Sequence, residues 1–71
     1  MRTVLKVYVD TGEAVWSTNG LEFDTYEQAV AYGQDLWSRW TAVREFAVIP
    51  VQSGHVGQLT TAAIRKIEVR Q

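Results

Sequence analysis

Apolar and polar residues alternate at the start of the chain and predict a first β-strand, from Thr3 to Val9. One side of this strand carries Thr3, Leu5, Val7 and Val9, and the other carries Val4, Lys6, Tyr8 and Asp10. Residues 10–13, Asp-Thr-Gly-Glu, are typical of a turn, so residues 14–18 are predicted as the return strand of a hairpin. The Asn-Gly pair at 19–20 is a second turn signal, and it leads into a short extended or looped segment at 21–23.

Apolar residues spaced three and four apart predict one amphipathic α-helix, over about residues 25–41. Either Asp24 or Thr25 suits the N-cap, because a capping box needs Glu or Gln three residues later, and Glu27 and Gln28 stand at those positions. The apolar stripe of this helix consists of Tyr26, Ala29, Val30, Gly33, Leu36, Trp37 and Trp40.

Two features of the stripe concern packing. Gly33 costs a helix about 1 kcal/mol relative to alanine, and we expect it to permit a close approach of the helix to a sheet. Trp37 and Trp40 lie three residues apart on the same stripe, and we expect both in the core.

An unbroken apolar run predicts a third strand, from Glu45 to Val51. Pro50 has no backbone N–H, so it belongs at a strand end or on an unpaired edge. Residues 52–58 are rich in Gly and polar residues and are predicted as a loop. The last segment is ambiguous: residues 60–64 could open a short helix, whereas Ile64 to Arg70 alternates like a strand, and we choose a fourth strand there.

This order of elements predicts a single α+β domain over residues 1–71, with a two-layer ββαββ architecture. One amphipathic helix, at about 25–41, lies on one face of a three- to four-stranded, mainly antiparallel sheet. The chain has no cysteine, so a disulfide framework and a thiolate metal site are excluded. No apolar stretch is typical of a secretory signal or a membrane span, and we expect a cytoplasmic protein with no membrane partner.

The expected sheet is apolar on both sides, although one helix covers only one of them. The uncovered side would expose several hundred Å² of contiguous apolar surface, at or above the largest patch usual on a monomer. We therefore predict a protein–protein interface there, with a homodimer as the first expectation. The expected interface residues are Tyr8, Trp16, Tyr32 and Val48. The alternative is that the C-terminal segment folds across this side and closes it.

No residues form a convincing catalytic set. His55 is the only histidine, no carboxylate is adjacent to it in sequence, and we expect an exposed loop residue. Asp24 and Glu27 have the spacing of a carboxylate pair, but helix capping explains both. The glycines at 54 and 57 lack the Lys-Ser/Thr of a phosphate-binding loop. We expect no enzymatic activity, no cofactor and no metal site.

The charges are unevenly distributed, although the net charge is only −1. Residues 1–35 carry two basic and six acidic residues and sum to −4, whereas residues 36–71 carry five basic and two acidic residues and sum to +3. An acidic and a basic side could favour self-pairing or steer a charged partner. The near-neutral balance makes a nucleic-acid partner a secondary alternative. That alternative would use Lys6, Arg44, Arg65, Lys66 and Arg70, with bases stacked on Tyr8 and Trp16.

Residues of the helix and of the third strand resemble short open reading frames of bacteria and their phages. The resembling stretches within residues 20–51 are 25–32 (TYEQAVAY), 36–39 (LWSR) and 41–50 (TAVREFAVIP). Such proteins mostly have no assigned activity, so the resemblance assigns no role to any residue. It implies a small accessory or inhibitory protein that acts by binding, including phage-encoded modulators of a host protein. We therefore expect a non-enzymatic interaction module.

Overall fold

The computed structural model describes residues 2–55 and 57–67, and within them the α+β class is confirmed. The elements are β1 (Thr3–Asp10), β2 (Val15–Trp16), α1 (Tyr26–Arg39), β3 (Glu45–Gln52), β4 (Leu59–Thr60) and α2 (Thr61–Ile67). The strands form two antiparallel pairs, β1 with β3 and β2 with β4. The predicted three- to four-stranded sheet is therefore not observed.

Strand β1 is central to the fold. It pairs with β3 along its whole length, from Thr3 opposite Gln52 to Asp10 opposite Glu45. Its other edge makes two isolated bridges, Val9 with Ser17 and Leu5 with Phe23, whose backbone hydrogen bonds are 2.8–3.0 Å long. The predicted hairpin is reduced to the first of these bridges, because Val15 and Trp16 pair with β4 instead of continuing along β1.

The helix prediction is confirmed in position and in its N-cap. Thr25 is the N-cap, and its hydroxyl accepts a hydrogen bond from the Gln28 amide at 3.2 Å. Gly33 is buried against β3, and a Cβ built on it would lie only 2.4 Å from Cδ2 of Phe46. The expected close approach of helix and sheet is thus present. The buried core on this face consists of Val7, Val9, Ala29, Val43 and Val48.

The second face of the β1–β3 pair is covered by the chain itself. β2, β4 and α2 lie on this side and enclose a second core, formed by Tyr8, Trp16, Ala47, Ile49 and Ile64. The Trp16 indole N–H donates to the Thr61 hydroxyl at 2.9 Å and so joins β2 to the start of α2. The expectation of an open face is wrong, and the alternative, closure by the C-terminal segment, is what the structure shows.

The fourth strand was expected from Ile64 to Arg70, but residues 64–67 are helical; residues 68–70 lie outside the described ones. The amide of Ala63 donates to the Thr60 hydroxyl at 3.3 Å, which is the bond of a helix cap. Ile64, fully buried in the second core, then fixes which side of the helix faces inward. Local capping and this buried contact outweigh the alternation of residues that suggested a strand.

Trp37 and Trp40 are not in the core, contrary to expectation. Trp37 is 56% exposed and Trp40 is 46% exposed. The buried residues of α1 are Ala29 and Gly33, so the helix contacts the sheet along a narrower stripe than the one predicted from the sequence. Both indole rings lie outside this stripe, on the surface at the C-terminal end of the helix. In the described part of the chain, neither helix has the length and apolarity needed to cross a bilayer.

Candidate functional site

The four predicted interface residues do not form one surface. Tyr8 and Trp16 are completely buried together in the second core. Val48 is buried in the first core, on the opposite face of the sheet. Tyr32 is half-buried on the first face, where its ring lies 5.3 Å from that of Phe23 and its hydroxyl bonds to the Asn19 side chain. The folded chain therefore does not offer Tyr8, Trp16 or Val48 to a partner.

Two basic residues of the nucleic-acid alternative, Lys6 and Arg65, already have partners within the chain. Lys6 is only 3% exposed, so a nucleic-acid backbone cannot lie against it. Arg65 pairs with Glu45, and its guanidinium lies 5.6 Å from the centre of the Trp16 ring. Arg44 and Lys66 are exposed, and Arg70 lies outside the described residues. Lys6 is thus too buried for the predicted contact, and Arg65 is held in an intramolecular ion pair.

An open, mainly apolar depression lies beside the C-terminal half of α1. We call it the Trp37 groove; it is about 540 Å³ and is lined by Gln34, Trp37, Ser38, Glu45 and Phe46. The Trp37 indole N–H lies 3.4 Å from the Arg44 carbonyl oxygen, which is a long hydrogen bond and fixes the ring only loosely. The groove thus joins an exposed, large aromatic side chain to the start of β3.

The outer edge of β3 adjoins this groove. Leu5 and Val9 direct their backbone groups toward Phe23 and Ser17, away from β3. In an antiparallel pair the direction of these groups alternates, so Phe46, Val48 and Pro50, opposite Val9, Val7 and Leu5, direct theirs away from β1. Among the described strands only β1 pairs with β3. Pro50 is exposed on this edge, as its missing N–H predicts.

Trp40 lies on the other side of the helix end. Together with Leu36 it borders a smaller depression of about 170 Å³ over Val7, Val9 and residues 17–19. The exposure of both tryptophans was not predicted, because periodicity shows which residues share a stripe but not how wide a stripe the sheet covers. The one signal in the sequence was Gly33, which predicts where the helix lies closest to the sheet.

Polar residues cluster where the loop after β3 crosses the second face. The Lys6 ammonium donates to the His55 carbonyl at 2.6 Å. Glu22 accepts from the Gly54 amide at 2.7 Å and from the Ser53 hydroxyl at 2.9 Å. These two hydrogen bonds, the first above all, lower the pKa of the Glu22 carboxyl below its ordinary value. The loop is therefore fastened to β1 and to the 21–23 segment by charged side chains.

Three polar atoms in this half of the molecule are buried without a hydrogen-bond partner among the described residues: Tyr8 Oη, Thr18 Oγ1 and His55 Nε2. Burial raises the pKa of the Tyr8 hydroxyl above its ordinary value. His55 was expected as an exposed loop residue, but it is half-buried because the Lys6 side chain holds its backbone. Within residues 2–55 and 57–67 no three metal-binding side chains converge.

Comparison of the chain with protein-family models, with curated proteins and with solved structures gave no match. No family role is therefore available for any of these residues.

Proposed function

We propose that the protein is a non-enzymatic protein-binding module that self-associates through the Trp37 groove and the outer edge of β3. The observation that carries this proposal is the exposure of Trp37, 56%, directly beside a strand edge that no described strand covers. The proposed interface is therefore the Trp37 groove with the edge of β3 and not the sheet face predicted from the sequence. The homodimer remains the expected assembly. An accessory or inhibitory role toward a host protein is consistent with this mode of action.

Exposed tryptophan is the strongest single element of the surface. Tryptophan is among the residues that most often dominate the energy of protein contacts. Covering roughly 100 Å² of the Trp37 ring would stabilise a complex by about 2–3 kcal/mol per copy before association costs. In the groove, Phe46 continues the apolar surface toward the sheet.

The strand edge supplies direction and register. An unpaired edge is a template for another strand, and β3 is complementary to itself in an antiparallel, two-fold arrangement. The exposed part of this edge is at its two ends, because Phe46 is half-buried and Pro50 is exposed, whereas Val48 between them is 3% exposed. Pro50 has no N–H to donate, so the Phe46 backbone and the Pro50 carbonyl are the groups available to a second copy. The two Trp37 rings lie on the same side of the joined sheets.

Sedimentation equilibrium over a range of concentrations tests the proposal with two matched variants. We expect a monomer–dimer equilibrium for the natural chain and at least about tenfold weaker association for Trp37→Ser. Trp40→Ser is the control, because Trp40 is similarly exposed but lies on the other side of the helix, away from β3. The control variant should associate like the natural chain.

Two results would contradict this proposal. A natural chain that stays monomeric at about 1 mM would exclude self-association of useful strength. Equal weakening by Trp37→Ser and Trp40→Ser would show that general surface apolarity, and not the Trp37 groove with its strand edge, causes association.

A further inference from the structure

Lys6 is a buried cation that makes one hydrogen bond within the part of the chain that the structure describes. It lies on β1 between Val4 and Tyr8, on the second face, and is 3% exposed. An ammonium group has three N–H donors, and one of them bonds to the His55 carbonyl at 2.6 Å. A neutral carbonyl does not balance the charge, and a buried charge is costly unless it is paired.

The nearest carboxylate is already occupied. Glu22 is close enough to influence Lys6 electrostatically, but its two oxygens accept from Ser53 and Gly54. Within the described residues, no carboxylate oxygen lies within 4.0 Å of the Lys6 ammonium. Among residues 2–55 and 57–67, the Lys6 cation thus has no directly bonded anion.

An open pocket of about 440 Å³ adjoins this cation. Lys6 lines it together with residues 17–20 and with Gly57 and Gln58. Thr18 contributes a hydroxyl that is buried and has no partner among the described residues. A cation and a threonine with an unused hydroxyl thus line one space.

We propose that this pocket binds a small oxyanion, a carboxylate or phosphate group, with Lys6 as the charged contact and the Thr18 hydroxyl as a second donor. A charge-assisted bond from the ammonium would balance the buried charge. The pocket is of the size that small ligands occupy in proteins, so the oxyanion can belong to a larger molecule. Polymeric nucleic acid is disfavoured because only the recessed pocket reaches Lys6. The inference is independent of the Trp37 groove, which lies beside α1 on the other face.

Amide NMR titration tests the proposal with two probes, inorganic phosphate and acetate, each at constant ionic strength set with chloride. We expect saturable shifts at the amides of Thr18, Gly20 and Gln58 with at least one probe, and the probe that saturates at lower concentration identifies the preferred oxyanion. Lys6→Gln should weaken binding by about tenfold or more, because it removes a charged hydrogen bond. Lys66→Gln removes an exposed lysine on α2 and should leave binding unchanged.

A second variant covers the case in which Lys6→Gln does not fold. Thr18→Val keeps the shape of the side chain and removes only the unpartnered hydroxyl, and it should weaken binding severalfold. The proposal is overturned if neither probe gives saturable shifts up to about 50 mM, far above the about 1 mM constant of a weak site. It is also overturned if Thr18→Val and Lys66→Gln bind like the natural chain.

Discussion

Trp16 and Trp37 show how differently the two faces of the β1–β3 pair are covered. Trp16 is fully buried, and its indole N–H has a partner 45 positions away along the chain, Thr61. Trp37 is 56% exposed, and its indole N–H has only a long bond to the Arg44 carbonyl. The short elements β2, β4 and α2 thus enclose their aromatic residue more completely than the long helix α1 encloses its own.

The difference lies in how wide a contact each face makes. On the first face the buried residues of α1 are Ala29 and Gly33, and Trp37 lies outside this narrow contact. On the second face Trp16 lies opposite Leu59 of β4, donates a hydrogen bond to Thr61 at the start of α2 and belongs to the buried second core. A long amphipathic helix is therefore no guarantee that the largest apolar residues of its stripe are buried.

The largest expected effect comes from truncating each tryptophan in turn. Trp16→Ala should lower the free energy of unfolding by about 3–5 kcal/mol, because it leaves a cavity in the second core. Trp37→Ala should change it by less than about 1 kcal/mol, since a surface substitution leaves no cavity. Urea unfolding followed by circular dichroism measures both. Similar losses in the two variants would mean that the two faces do not differ as described.

A smaller effect is expected at the helix–sheet contact. Gly33→Ala improves helix propensity by about 1 kcal/mol, but its Cβ would lie 2.4 Å from the Phe46 ring. Overpacking of this kind costs about 1–3 kcal/mol, so we expect a net loss of up to about 2 kcal/mol in the free energy of unfolding. The same urea experiment measures it.

Ala31→Gly is the matched control for this contact. Ala31 is exposed on α1, where only helix propensity acts, and glycine should cost about 1 kcal/mol there. Glycine is then the better residue at 33 and the worse residue at 31. A stabilising Gly33→Ala would show that the Phe46 ring moves aside easily and that the layers are not held close together by this contact.

The features that could be predicted from the sequence are those determined by near neighbours. Thr25 caps α1 by accepting a hydrogen bond from the amide of Gln28, three positions later. Gly33 predicts the close contact of the helix with Phe46, and Pro50 predicts an unpaired strand edge. Each rests on backbone chemistry that one or a few residues settle.

The exposure of the aromatic residues could not be predicted in this way. The burial of Trp16 depends on the contact with Thr61, and that of Lys6 depends on a loop 49 positions along the chain. Such contacts leave no periodic signal. For the candidate sites, the sequence indicated binding rather than catalysis, but it placed the interface on Tyr8 and Trp16, which the C-terminal elements cover.

The smallest effect expected concerns the loop that closes the edge of the second face, and it depends on pH. The hydrogen bonds from Gly54 and Ser53 lower the pKa of the Glu22 carboxyl below its ordinary value of 4.5 in the folded chain. The stability it contributes is therefore present above pH 4.5 and is lost as the pH falls through the lower, folded-state pKa. The difference in urea midpoint between the natural chain and Glu22→Gln should be largest near neutral pH and should shrink in acid.

Glu13→Gln, in an exposed turn, controls for the loss of one charge. If the midpoint difference for Glu22→Gln is the same at neutral and acidic pH, the ionised carboxylate does not fasten the 53–55 loop, and the closure of this face rests on the apolar contacts of Trp16 and Ile64 alone.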